Sequence, residues 1–204
     1  DGDAYLRVQR VADGPGGSHL DLHVDDLGGF AAQAVAMGAI EEHRYDDLVV
    51  LRSPAGLSVC VVGHDGEGVR PVPQPIGDTG EQHLLDQISI DIPRSQFDEE
   101  CAFWSDLTGW ERRRSTVRAE FDHLARPPGM PLRLLLQRRE DEGPARAHLD
   151  VASTDVEVAV AHHLTLGATL AATFPHWTVM LDPSGIAYCV TSRNPATGQI
   201  SNAV

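Results

Sequence analysis

Residues 18–40, SHLDLHVDDLGGFAAQAVAMGAI, lie over residues 147–169, AHLDVASTDVEVAVAHHLTLGAT, without a gap at an offset of 129. The same offset carries Asp26 onto Asp155, Gly38 onto Gly167, Val50 onto Val179, Pro54 onto Pro183, Gly56 onto Gly185 and Cys60 onto Cys189. A register held from Ser18 to Cys60 is the signature of a repeated structural unit, so whatever one copy folds into, the other must fold into as well.

Each copy has the same internal order. Leu20, Leu22 and Val24 alternate with His19, Asp21 and His23, the period of a strand with two unlike faces. Leu27, Phe30, Ala31, Ala34 and Val35 then fall on one helical stripe, with Asp25 or Asp26 placed to cap its start and Gly38 to end it. A weaker strand near Ile40 to Arg44 precedes LVVLRSPAGLSVCVV, which reads as two strands joined by a Pro-x-Gly turn. The unit is βαβββ. A less similar copy lies between the two: a strand in QISIDIP, a helix with Phe97, Cys101, Trp104 and Thr108 on one face, a stop at Gly109, and strands around Trp110 to Val117, Phe121 to Ala125 and Pro131 to Arg138. The opening stretch AYLRVQR at 4–10 matches PLRLLLQRR at 131–139, Gln9 falling on Gln137, and is expected to be a strand.

Paired βαβββ units with HLDLHVDD and DPSG elements resemble the vicinal-oxygen-chelate superfamily of glyoxalases, bleomycin-resistance proteins and ring-cleaving dioxygenases. The turn ending in Cys resembles its glyoxalase-like branch, and the resemblance covers residues 4–63 and 84–192. It implies an α+β fold in which paired modules curl mixed sheets around a shared pocket, two modules making one domain. By that count residues 1–63 hold the last strand of one module and a complete second module of a first domain. Residues 64–83, rich in Gly and Pro, form a linker, residues 84–192 form a complete second domain, and 193–204 a tail. The remainder of the first domain is expected before Asp1, or from a partner chain by strand swapping in a homodimer.

The resemblance also implies where a metal would sit: His on the first strand and Glu on the last strand of each module. Residue by residue this gives Gln87, Gln137, His148 and Cys189 in the second domain, and Gln9, His19 and Cys60 in the first, where Asp21 and His23 share the strand face. Two amides replace imidazole and carboxylate poorly, and catalytic zinc sites use three ligands from His, Asp, Glu or Cys. No catalytic metal is therefore expected; in the alternative, a divalent Zn, Ni or Fe would draw on His19, His23, Cys60, His148 and Cys189. The same side chains, with Asp150, Trp177 and Phe121, are the expected pocket lining. Each Cys reads as a small hydrophobe, a ligand or a reactive thiol, while His19 and His148 read as buried strand histidines with Asp21 and Asp150 in reach. The acidic runs at 98–100 and 140–142 read as solvated surface.

Two function classes follow. One is a binder of a small organic ligand without the usual metal, as in bleomycin-resistance relatives; the other is a metal-dependent lyase or dioxygenase. A formal charge of −14 argues against nucleic acid and anionic membranes. The longest apolar runs, such as Leu48 to Leu51, are far short of a membrane span, no basic-then-apolar leader is present, and three scattered cysteines make no disulfide framework. These point to a cytoplasmic protein.

Overall fold

A computed structural model describes residues 2–10, 16–115 and 118–200. The first copy forms β1 (Leu20–Val24), α1 (Leu27–Ala36), β2 (Ile40–Arg44), β3 (Leu48–Arg52) and β4 (Ser58–Gly63). A short β5 (Gln74–Pro75) leads to β6 (Gln82–Pro93), α2 (Phe97–Thr108), β7 (Arg112–Arg114), β8 (Phe121–Leu124) and β9 (Arg133–Arg139). The last copy is β10 (Arg146–Ser153), α3 (Val156–Thr165), β11 (Thr169–Thr173), β12 (Trp177–Leu181) and β13 (Ala187–Thr191). The end of the strand expected to reach Val117 lies outside the described residues.

The outer copies repeat down to their irregularities. β1 pairs parallel with β4 and β10 parallel with β13, and the remaining ladders are antiparallel. A register shift falls between Glu41 and His43 in one copy and between Leu170 and Ala172 in the other, again 129 residues apart. Asp26 accepts from Gly29 N and Asp155 from Val158 N, so the same side chain caps both helices. Gly38 and Gly167, at φ 106° and 93°, turn the chain out of each helix where an added Cβ would meet Pro54 or Pro183.

The chain divides into two compact units. One comprises Asp1–Gly17, Val69–Ile88 and His148–Val204; its strands run in the order β11-β12-β13-β10-β6, with β5 on β6. α3 covers this sheet through a core of Ile76, Ala159, Ala168, Met180 and Val190. Burying each of Ile76, Met180 and Val190 stabilises by about 1.5–3 kcal/mol. Ile76, which lies within the segment 64–83 expected as a linker, is thus part of this core. The expected strand at 4–10 is not formed. Val8 is 97% exposed, and the segment is held without a ladder: Asp3 N donates to Val69 O, Val69 N donates back to Asp3 Oδ2, and Tyr5 Oη donates to Leu85 O.

The other unit comprises Ser18–Gly68 and Ser89–Ala147. It contains the four-stranded sheet β1-β4-β3-β2 and the order β6-β9-β8-β7. α2 buries Phe97, Cys101, Phe103, Trp104 and Leu107, and ends at Gly109 with φ 69°. It also buries Glu100, which is 0% exposed. This overturns the reading of residues 98–100 as a solvated run: Asp98 and Glu99 are exposed, but the third residue turns inward onto the β3–β4 turn.

That turn explains why. In the last copy Asp182 Oδ1 accepts from both Ser184 N and Ile186 N, so the Pro-x-Gly turn satisfies itself. In the first copy Ser53 stands at the Asp182 position. Its hydroxyl accepts from Leu57 N but leaves Ala55 N, which donates instead to Glu100 Oε2 at 2.8 Å. Trp104 Nε1 donates to the other oxygen at 2.7 Å. Burial pushes the Glu100 pKa up, against the bonds from Ser53, Ala55 and Trp104 that favour the carboxylate.

Candidate functional site

The parallel pairing of first and fourth strands sets Asp21 beside Cys60 and Asp150 beside Cys189. Strand alternation puts His19 and His148 on the same faces as those aspartates, two residues earlier. Each copy therefore gathers a nitrogen, an oxygen and a sulfur: one ligand atom each from His19, Asp21 and Cys60, and from His148, Asp150 and Cys189, lie within 4.8 Å of one another. These are the two such groups of three among the described residues.

The two groups differ in cover. β1 is an edge strand, and there His19 Nε2 meets Asp21 Oδ1 at 2.9 Å with both side chains well exposed. His19 is thus not the buried histidine expected, since β1 has a neighbour on one side only. Its pKa is raised, chiefly by the bond to Asp21. β10 runs between β13 and β6, and Asp150 and Cys189 are 4% and 8% exposed. The Gln87 amide on β6 donates to Asp150 Oδ2, while His148 Nε2 stands 3.4 Å from Asp150 Oδ1. Burial pushes the Cys189 thiol pKa up; a hydrogen bond with His148 opposes this and the Asp150 charge adds to it. The Cys60 thiol is raised as well, by partial burial and then by Asp21.

His23 is in neither of these groups. His23 Nδ1 lies 3.6 Å from Glu67 Oε2 rather than with His19. Gln9 is exposed and belongs to the unit of His148. Gln137, on β9 in the unit of His19, sits opposite Phe121 of β8. Trp177 is half-buried and stacks on Phe174, ring centroids 4.7 Å apart. A cleft of about 300 Å³ beside Tyr5, Leu6, Pro71, Gln74, Leu84 and Leu85 touches none of the candidates. Burial within that segment pushes the Tyr5 phenol up to about 12. No helix of the described residues is long and apolar enough to cross a membrane.

Solved structures with the same fold include a triple mutant of 4-hydroxymandelate synthase from Streptomyces coelicolor, at TM-score 0.55 and 16% identity over 89% of this chain and 72% of that one. A 2,2',3-trihydroxybiphenyl 1,2-dioxygenase from Sphingomonas wittichii is similar at TM-score 0.53 and 15% identity, over 91% of this chain and 71% of that one. A catechol 2,3-dioxygenase reaches TM-score 0.51 at 16% identity, over 91% and 70%. No curated protein matches in sequence. The Glyoxalase-like domain family matches residues 1–62 and 87–191. With the duplicated βαβββ modules, that match over most of its length makes the chain a member of the glyoxalase-like domain family within the vicinal-oxygen-chelate superfamily.

Proposed function

We propose that the chain binds a small polar organic molecule at the His148–Asp150–Cys189 face, without the His/Glu metal centre that the superfamily resemblance implies. The observation that carries this reading is the closed polar network at β10 and β13. The fourth-strand residue is a thiol rather than a carboxylate, and the carboxylate nearby, Asp150, already accepts from the Gln87 amide. Such a set offers a ligand hydrogen bonds in both directions: acceptance at Asp150, donation from a Cys189 thiol kept protonated by burial, and either at His148.

A metal-dependent lyase or dioxygenase is the second reading, favoured by the convergence of three unlike donors within 4.8 Å. His148, Asp150 and Cys189 would suit a borderline cation such as zinc, which when bound supplies a Lewis acid for a ligand oxygen. In that case Gln87 would orient Asp150, as partners of ligating carboxylates do.

Titration with catechol and with pyruvate, followed by amide chemical shifts, tests the first reading. Saturable shifts are expected at residues 149–151 and 189–191, in protein whose metal content is unchanged by Cys189→Ser. One zinc, nickel or iron per chain that disappears in both Cys189→Ser and Asp150→Asn would replace the first reading with the second.

A further inference from the structure

Three histidines outside these groups come together in the unit of Asp1–Gly17, Val69–Ile88 and His148–Val204. His83 is on β6, and His162 and His163 occupy the last turn of α3. Ring centroids are 5.7 Å apart for His83 and His163, 6.2 Å for His162 and His163, and 6.4 Å for His83 and His162. We propose that His83, His162 and His163 form a three-imidazole site for a first-row transition cation, with zinc the ion to test, separate from the His–Asp–Cys groups.

Five observations support it. With Zn–N bonds of about 2.0 Å in tetrahedral geometry, imidazole centroids stand about 5 Å apart, so this triangle needs to contract by roughly 1 Å. The three rings do not bring one nitrogen each within 4.8 Å of one another in the structure, so this contraction is part of binding. Tyr188 on β13 holds its hydroxyl 2.9 Å from His163 Nδ1, which fixes the ring and leaves Nε2 for the ion, the arrangement usual around metal-bound histidine. His83 Nδ1 is buried without a hydrogen-bond partner among the described residues, a nitrogen whose lone pair a cation would take up. A dication at the C-terminal end of α3 also meets the negative pole of the helix. Burial and neighbouring imidazoles lower the pKa of His83 and His163, which keeps their lone pairs available at neutral pH.

The repeat argues that the cluster is not required by the fold. At the offset of 129, His162, His163 and Tyr188 fall on Gln33, Ala34 and Val59, and the first copy buries that alanine and valine. An alanine suffices to pack the helix there.

The test is zinc titration against a chromophoric chelator on the full chain carrying Cys60→Ser and Cys189→Ser, which disables both sulfur-containing groups. One zinc per chain is expected to remain, weakened at least tenfold by each of His83→Ala, His162→Ala and His163→Ala. Loss of all zinc binding in the cysteine variant, or an affinity unmoved by the histidine substitutions, overturns the proposal. Circular dichroism checks the fold of each variant, and His83→Gln replaces His83→Ala should the latter unfold. With Cys60 and Cys189 replaced, the response to the histidine substitutions distinguishes this zinc from any held at the His148 face.

Discussion

Glu100→Ala removes the acceptor of Ala55 N and Trp104 Nε1 at one stroke, and both donors are buried. Each buried donor left without a partner costs about 1–3 kcal/mol, so the gross loss is about 2–6 kcal/mol. Against this, the substitution relieves the burial of a carboxylate whose raised pKa shows an incompletely compensated charge. The net expectation is a loss of about 2–4 kcal/mol, a fall in melting temperature of about 5–15 °C for a chain of this size. Urea denaturation followed by tryptophan fluorescence measures it. The sign of the pH dependence follows from the same shift. A folded-state pKa above the unfolded value means the folded chain holds the Glu100 proton longer, so this contribution to stability is complete below the unfolded pKa. It is lost as pH rises through the folded pKa. Glu100→Gln should flatten that part of the profile. Ser53→Asp, which recreates the Asp182 arrangement, should recover part of the loss in the Glu100→Ala background. A Glu100→Ala chain within about 0.5 kcal/mol of the parent, a margin typical of neutral surface changes, would refute the reasoning.

The thiols should separate by accessibility: under a disulfide reagent at pH 8, mass spectrometry should find Cys60 modified first, then Cys189. Cys101, fully buried and pushed up to about 12, should remain intact until the chain unfolds; early labelling of Cys101 would contradict its placement. Gly56→Ala should cost more than Gly185→Ala in urea denaturation. Both positions have positive φ, 91° and 84°, but only at Gly56 does the new Cβ meet Pro144, at 3.1 Å. Asp26→Ala and Asp155→Ala should each cost about 1 kcal/mol, by the same measurement, as the same cap lost from each copy.

Much of the fold is legible because the repeat constrains each element twice. Strand alternation at Leu20 to Val24, the stripe from Leu27 to Val35 and the Pro-x-Gly turn each have a counterpart 129 residues on, and the structure follows them, down to Gly109 ending α2. What escaped the sequence depends on contacts distant in the chain. Helical spacing puts Glu100 on the face of Phe97 and Trp104, but its charge and its exposed neighbours Asp98 and Glu99 read as surface, and its partner Ala55 lies 45 residues earlier. A second signal was the mismatch of Ser53 with Asp182. Ile76 similarly sits among Gly and Pro residues and becomes core through side chains of α3, β12 and β13. At the site, alternation alone puts His and Asp on one face, but bringing the Cys beside them requires the parallel register of β1 with β4 and of β10 with β13. The histidine cluster shows the same limit, since the adjacent pair at 162 and 163 was visible but not its approach to His83.

The different acceptors at the two Pro-x-Gly turns bear on how the chain opens. In the β12–β13 hairpin the amides of Ser184 and Ile186 close onto Asp182, so hydrogen exchange there needs only the hairpin itself to open. In the β3–β4 hairpin the Ala55 amide closes onto α2, and the Ala55 carbonyl accepts from Ala145 N at 2.6 Å. Its exchange is therefore tied to separation from segments far along the chain. Two hairpins of one ancestry thus belong to cooperative units of different extent: one fluctuates as a local element, while the other stays protected for as long as its surroundings hold.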